Sequence, residues 1–560
     1  MPSDWGRGTA SRVSRLTRPG DGSGGGPFRW SGRRPRRGRR RGATCCGRFL
    51  LHRSFSMSTN AAAQGMELCS REMSRRAVLG AGLAAGAGLV LPRGVLGAPL
   101  WRPRARAEAC IFIWLPGGVA QTDTFDPKAH SPFEAGMKGS ELLGTCPSIP
   151  TKADGVRFGA GLEGLASVMD RGCVLRTLTS DAAFGAIHLK AQYNLMTGYL
   201  FPVGVKAPSI GAVVSRTLGR RHPQIPGYIY IGRDIDTSDE ERTFIAEYLG
   251  SGFYGLEHAP FMIPEPSRGL ATLSAAAGMD VARLDQRQSL LRSLHGMSDE
   301  RLRDSPKAAA YMALMAEARA MMDSPVKKAF DFSGEKPEVL AAYTPGSTEP
   351  GGETLLDPSY DHSNRFGPGL LLARRLVEAG ARFVQVEYQY GPFKGFDMHE
   401  NGARRMREMK RQIDGPITRL VLDLEERGML DTTLVVVATE FGRTIASQPA
   451  AGVEPDGASE SHSGEHLVIA SESMYGFHGH FSSCKNMLFF GGGFRRGIAY
   501  GTTADRHPLL PVERAVSLID THATLYAAMG IAPDTSYETE GRPFYVTKDG
   551  KGKPIAGLLA

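Results

Sequence analysis

The stretches "ACIFIWLPGG" (109–118), "GCVLRTLT" (172–179), "GYIYIG" (227–232), "RFVQVEY" (382–388), "TLVVVAT" (433–439) and "NMLFFGG" (486–492) are apolar runs without polar alternation. A strand with one wet face alternates apolar and polar residues, so these runs belong to strands buried on both faces, as in a parallel sheet covered by helices. Helix-period segments lie between them. "GPGLLLARRLVEAG" (367–380) ends on Gly380, and "RQIDGPITRLVLDLEERGML" (411–430) carries Gly428 as its C-cap. Strand, helix and strand at this spacing predict an α/β fold with a doubly wound, mostly parallel sheet flanked by helices. From about 233 to 345 the rhythm changes to two amphipathic segments, 279–297 and 305–322. They predict an inserted helical segment, closed by the Pro/Gly/Ser-rich loop 343–354.

The 560-residue chain is formally +9, yet its first 56 residues hold 14 Arg, no Lys and two acids, Asp4 and Asp21, a local charge of +12. The remainder sums to −3, so the basic balance belongs to the leader and gives no reason to expect a nucleic-acid partner for the folded body. Residues 1–73 read as a disordered basic leader, or as sequence upstream of a true start at Met57 or Met66. In residues 74–107 a twin arginine, Arg75 and Arg76, precedes a small-residue apolar run over 77–91, too short and too rich in Gly to span a bilayer. It resembles a twin-arginine export signal, with cleavage after Ala98 or Ala107. The expectation is a periplasmic or extracellular protein with no stable membrane span after signal removal. Residues 108–560 are expected to form a single domain, and at 41% hydrophobic composition the chain can bury a large core. Of the chain's seven cysteines, the four in residues 108–560, Cys110, Cys146, Cys173 and Cys484, form no CxxC pair but leave room for one or two bridges.

Ligands of open parallel sheets bind beyond the carboxyl ends of the strands. Asp123 and Asp126 follow the first run, Asp397 and His399 ("GFDMHENG") follow the fourth, and Glu440 follows the fifth. Farther on come His462, His466, His478 and His480, then Asp520 and His522 in "DTHAT". Carboxylates and imidazoles gathered at one edge suit Zn²⁺, Mn²⁺ or Fe better than Ca²⁺. Each residue also has a plainer use. Asp123 and Asp126 form turns, Asp520 caps a helix, and His462 and His466 sit in a polar loop. "FFGGG" lacks a P-loop Lys and reads as a turn.

The blocks "IWLPGGVAQTDTFDPK", "GFDMHENG", "LVLDLEERGMLDTTLVVVATEFGRT" and "FFGGGFRRG" with "DTHATLYAAMGI" are similar to exported bacterial proteins of the domain-of-unknown-function 1501 family. These are placed in the alkaline phosphatase and sulfatase superfamily. The resemblance implies an alkaline phosphatase-like sheet, two adjacent divalent metal ions, and hydrolysis of phosphate or sulfate esters. It assigns metal-ligand roles to Asp123, Asp397, His399, Glu440 and His480, with His478 as the alternative to His480. Two departures stand out. Phe441 occupies the position of a superfamily His, since "TLVVVATEFG" parallels the sulfatase pattern "TLVVFTSDHG". In "HLKAQYNLMTG", His188 stands where the attacking Cys or Ser belongs and Gln192 where its Arg partner belongs.

The expected function is therefore an exported metal-dependent hydrolase. Its substrate would be an anionic ester small molecule or a sulfated or phosphorylated polymer. His188 would act as nucleophile or general base. Arg443 would hold the anionic group or fix the turn by a salt bridge. The alternative is a non-catalytic alkaline phosphatase-like protein that binds an anionic glycan or a partner protein.

Overall fold

The computed structural model describes residues 103–560 apart from 181–186, 202–204, 233–247, 276–277, 345–354, 358–360, 389–394, 446–467, 477 and 540. The leader, nearly all of the export signal, the loop 345–354, His462 and His466 thus lie outside the described residues. The central sheet has nine strands among those described: β1 (Ala109–Trp114), β2 (Gly172–Thr179), β3 (Tyr228–Ile231), β4 (Phe261–Ile263), β5 (Phe383–Glu387), β6 (Thr433–Ala438), β7 (Lys485–Phe490), β8 (Ile498–Tyr500) and β9 (Val516–Ser517). Their order is β8-β2-β7-β6-β1-β5-β3-β4, with β9 also pairing β2. Strand β7 runs antiparallel to both neighbours, β2 and β6, while the other pairs are parallel. The mostly parallel sheet expected from the apolar runs is present.

Those runs lack alternation because both faces are covered. Ile111, Ile113, Val435 and Val437 point into one buried cluster with Leu371, Ile413 and Leu420. The last three belong to helices α5 (Ser363–Glu378) and α6 (Gly402–Glu426). Phe112, Trp114, Leu434 and Val436 point into another cluster with Tyr193, Val213 and Tyr526. Those residues come from α1 (His188–Thr197), α2 (Ile210–Leu218) and α7 (Leu518–Ala528). Each fully buried Val, Ile, Leu or Phe side chain contributes roughly 1.5–3 kcal/mol, so two covered faces give the sheet its main stabilisation. The expected helix ends also appear, with Gly380 and Gly428 in the left-handed region at φ 107° and 66°.

The stretch expected to be helical contains α3 (Val281–Gly296) and α4 (Pro306–Asp323), capped by Asp280 and Ser305. It also supplies the edge strand β4, which is too short to leave a period-2 signal. Among the described residues, no helix is long and apolar enough to cross a membrane. Cys110, Cys146, Cys173 and Cys484 are all buried free thiols, which removes the bridges the sequence left room for. Cys110 and Cys173 lie in β1 and β2, which are separated in the sheet by β6 and β7, and behave as small apolar residues.

Candidate metal centre

Register fixes the edge where the candidate residues meet. Trp114 pairs with Glu387 on one side and Ala438 on the other, so β1, β5 and β6 end side by side. The loop after β1 then lies against the residues that follow β6. Leu115 N donates to Ala438 O (2.9 Å), Gly117 N to Glu440 Oε1 (2.8 Å) and Val119 N to Thr439 Oγ1 (3.1 Å). Gly118 has φ +90°, and a Cβ there would stand 2.7 Å from both Arg443 Nε and the Phe441 ring. Glycine is required at this point. Gly442, by contrast, is absent from the positive-φ glycines. It begins a short antiparallel ribbon, Gly442–Thr444 against Gly479–Phe481, and a Cβ there would meet Cys484 O at 2.3 Å. Close packing, rather than a left-handed turn, accounts for that glycine.

The ribbon carries Arg443 opposite His480 and brings both to Asp397. Asp397 Oδ1 is the focus of the site. It lies 3.2 Å from His188 Nε2, 3.0 Å from His399 Nε2, 3.3 Å from His480 Nε2 and 2.5 Å from Arg443 Nη2. Burial opposes ionisation of Asp397, but Arg443 and the three imidazoles outweigh it and hold the carboxyl well below the usual range. His480 is pushed down to about 4, chiefly by burial, which keeps its ring neutral.

His188 opens α1 and bridges two carboxylates. Its Nδ1 lies 2.8 Å from Glu440 Oε1 while its Nε2 faces Asp397, so one imidazole links the two strand ends. Glu440 is fully buried, and its Oε1 also accepts from Gln192 Nε2 (3.1 Å). Burial raises the Glu440 carboxyl, yet the bond and charge of His188 bring it below its ordinary value. Phe441 donates nothing. Its ring packs 4.8 Å from that of His188 and 4.6 Å from that of His480, a dry wall on one side of both imidazoles.

Arg443 is buried and committed to protein partners. Its Nε donates to Gly118 O (3.1 Å), Nη1 to His478 O (2.8 Å), and Nη2 to Asp397 Oδ1 and Gly117 O. Asp123 sits in a different set of contacts. Its carboxylate accepts from Thr145 N (2.8 Å) and Thr145 Oγ1 (2.7 Å), with His478 Nε2 at 3.4 Å from Oδ2. Lys410 Nζ donates to its carbonyl (3.2 Å). Arg443 links the two groups, since His478 contacts Asp123 through its ring and Arg443 through its carbonyl. Asp126 pairs with Thr503, Lys128 and Arg176. Asp520 accepts from Lys553 N (2.8 Å), Ser517 caps its helix, and His522 Nε2 lies 2.8 Å from Leu195 O.

The family described as "Protein of unknown function (DUF1501)" matches residues 107–559. The chain belongs to that family. No curated protein matches it significantly. Among solved structures it is similar to the lipoteichoic acid synthase LtaP from Listeria monocytogenes, at 9% identity and TM-score 0.30 over 80% of this chain and 76% of that one. The PsFucS1 sulfatase from Pseudoalteromonas sp. gives 12% identity and TM-score 0.33 over 80% and 74%. A mutant of the alkaline phosphatase PafA gives 9% and 0.35 over 82% and 100%. At this level of overlap, no activity is carried from those proteins to this family member.

Two residues at the edge escaped the sequence reading. Lys485 is buried at the start of β7, and its Nζ donates to Glu440 O (2.6 Å) and to Ser180 Oγ. Burial lowers its pKa to about 8. A parallel strand brings its end to this edge, whereas the antiparallel β7 brings its beginning, so Lys485 precedes its strand. Glu387 is the last residue of β5, fully buried, and raised well above the ordinary carboxyl value by burial and then by the charge of Glu440. Its place in "RFVQVEY" was legible, but a strand-terminal Glu without a neighbouring His gave no signal.

Proposed function

We propose that this protein is an exported metal-dependent hydrolase of phosphate or sulfate esters, working at the Asp397 cluster. The observation that carries this reading is the convergence of three imidazole nitrogens and a guanidinium on one carboxylate oxygen. One carboxylate and three imidazoles form a donor set suited to Zn²⁺, Mn²⁺ or Fe. The donor atoms of His188, Asp397 and His480 lie within 4.8 Å of one another, close enough to share an ion. Asp397, His399, His480 and His188 would hold it. When bound, such an ion supplies Lewis-acid polarisation of the ester and lowers the pKa of an attacking water.

The remaining residues position this set. Glu440 accepts from His188 Nδ1 and so leaves Nε2 directed at the cluster, the arrangement by which a carboxylate fixes the tautomer of a metal-binding His. His188 is accordingly assigned to metal binding rather than attack, and Glu440 to orientation rather than ligation. Arg443 holds Asp397 in place, and Lys485 steadies the Glu440 backbone. Phe441 keeps water from one side of the imidazoles. Asp123, with His478, supports Arg443 from behind.

A panel of aryl phosphate, phosphodiester and sulfate esters tests the reading on purified protein reconstituted with Zn²⁺, Mn²⁺ or Fe²⁺. Turnover of at least one class should appear with metal and fall by 10²-fold or more in His480→Ala, on the order expected for loss of a catalytic ion's ligand. Failure of every ester with every metal would favour the second reading, a non-catalytic protein that binds an anionic glycan or a partner. Phe441 in place of a donor and Arg443 saturated by protein partners are the observations that support that second reading.

A further inference from the structure

With His188 given to metal binding, no side chain of the Asp397 cluster is left to attack an ester. The sheet brings one to the same edge. Strand β7 is antiparallel to both β2 and β6, so β2 and β6 run the same way, and Ser180 follows the last residue of β2 where β6 also ends. Lys485 stands at the start of β7 between them, in register with Leu178 of β2. Its Nζ donates to Ser180 Oγ and, at 2.6 Å, to Glu440 O, which ties the end of β2 to the residue that orients His188. Both acceptors are uncharged, and Lys485 is buried. Burial without a carboxylate partner favours the neutral amine. Ser180 is half-buried and so within reach of a ligand, whereas the hydroxyls of Thr439 and Thr145 are buried and donate to Glu440 and Asp123.

We propose that Ser180 is the nucleophile of this site and Lys485 its general base. The inference takes its substrate from the ester-hydrolase reading and in that respect rests on it. In the neutral amine the contact runs the other way, with the Ser180 hydroxyl donating to the lone pair on Nζ. Ser180 Oγ then bonds to the phosphorus or sulfur of the ester while its proton passes to Nζ. The bond from that atom to the ester oxygen breaks, and the departing oxygen takes the proton from Nζ to leave as an alcohol. Water attacks the phosphoseryl or sulfoseryl group in the second half, again giving a proton to Nζ. Ser180 Oγ recovers that proton as phosphate or sulfate departs, so serine and amine return to their starting forms. The Glu440 carbonyl holds Nζ in place throughout.

Covalent capture provides the test. The purified protein, reconstituted with metal, is quenched in acid while it turns over para-nitrophenyl phosphate or para-nitrophenyl sulfate, and its peptides are weighed by mass spectrometry. In parallel, the metal-free protein is treated with a fluorophosphonate, which labels an activated serine without needing the ion. The phosphoryl or sulfuryl group and the fluorophosphonate label should both be found on Ser180. Ser180→Ala should lose both adducts and the turnover while keeping the metal content and thermal transition of the wild type, because only a half-buried hydroxyl is removed. Lys485→Met should slow labelling by about 10²–10⁴-fold, the usual contribution of a positioned base. Full turnover in Ser180→Ala, or no label on Ser180, overturns the inference and leaves the hydrolase reading standing. Labelling of Ser180 in a protein that turns over none of the esters would uphold the pair and overturn the ester reading.

Discussion

At the scale of single residues, the site depends on what each side chain is prevented from doing. Arg443 is barred from solvent and held by three carbonyls and Asp397, and Gly118 leaves it the room. Gly118→Ala drives a Cβ into Arg443 and Phe441 from a backbone that disfavours any Cβ. Chemical denaturation should show a loss of about 2–4 kcal/mol, the sum of local strain and overpacking. Glu440→Gln tests orientation apart from ligation. The amide keeps the shape but cannot accept from His188, Gly117 and Gln192 with the strength of a carboxylate, so metal affinity should fall about 10–100-fold, with the melting transition retained. Isothermal titration measures it, and an unchanged affinity would remove Glu440 from the account. Asp397 and His399 were readable in "GFDMHENG" because a carboxylate and an imidazole two residues apart follow a buried strand. The role of His188 was not readable, because a spacing marks a position without saying which ring nitrogen faces which carboxylate.

At the scale of elements, burial decides how segments are joined. The Asp414 side chain on α6 accepts from Gly164 N (2.8 Å) and Leu165 N (2.7 Å), which ties the short helix Glu163–Ser167 to α6. Burial raises its pKa to about 6, against the two backbone bonds that favour the charged form. A carboxyl whose folded pKa is raised contributes stability that is fully present below its unfolded pKa and lost as pH rises through the folded value. The stability of the native protein relative to Asp414→Asn should therefore fall between about pH 4 and pH 7, by at most about 3 kcal/mol for a shift of about two units. Equilibrium unfolding of both proteins across that range checks the sign, and a difference that rises with pH would contradict it. The long helices were legible from their period and glycine caps. Strand β4 was not, because three residues cannot show a period. The ribbon that delivers Arg443 and His480 was not, because its strands are 34 residues apart between Thr444 and Gly479 and pair only through tertiary packing.

At the scale of the whole molecule, continuous apolar runs announced a sheet covered on both faces, and a covered parallel sheet has one edge where loops can gather polar groups. That much of the architecture follows from composition along the strands. Strand direction does not: "NMLFFGG" looks like its parallel neighbours, and only its reversal places Lys485 beside Glu440. The same limit applies to Asp123, whose position after β1 is as expected but whose carboxylate is taken up by Thr145 and His478. On the proposed reading the Asp397 set holds one ion, and Glu440, Arg443 and Phe441 shape its surroundings. Metal content per chain tests this most directly, measured by inductively coupled plasma mass spectrometry after loading with Zn²⁺, Mn²⁺ or Fe²⁺ and desalting. Roughly one equivalent of one of these metals should remain on the wild type and be lost from both Asp397→Asn and His188→Ala, since a site without its ligands cannot retain the ion. Less than about half an equivalent on the wild type, or a content in either variant equal to that of the wild type, would contradict a metal centre at Asp397.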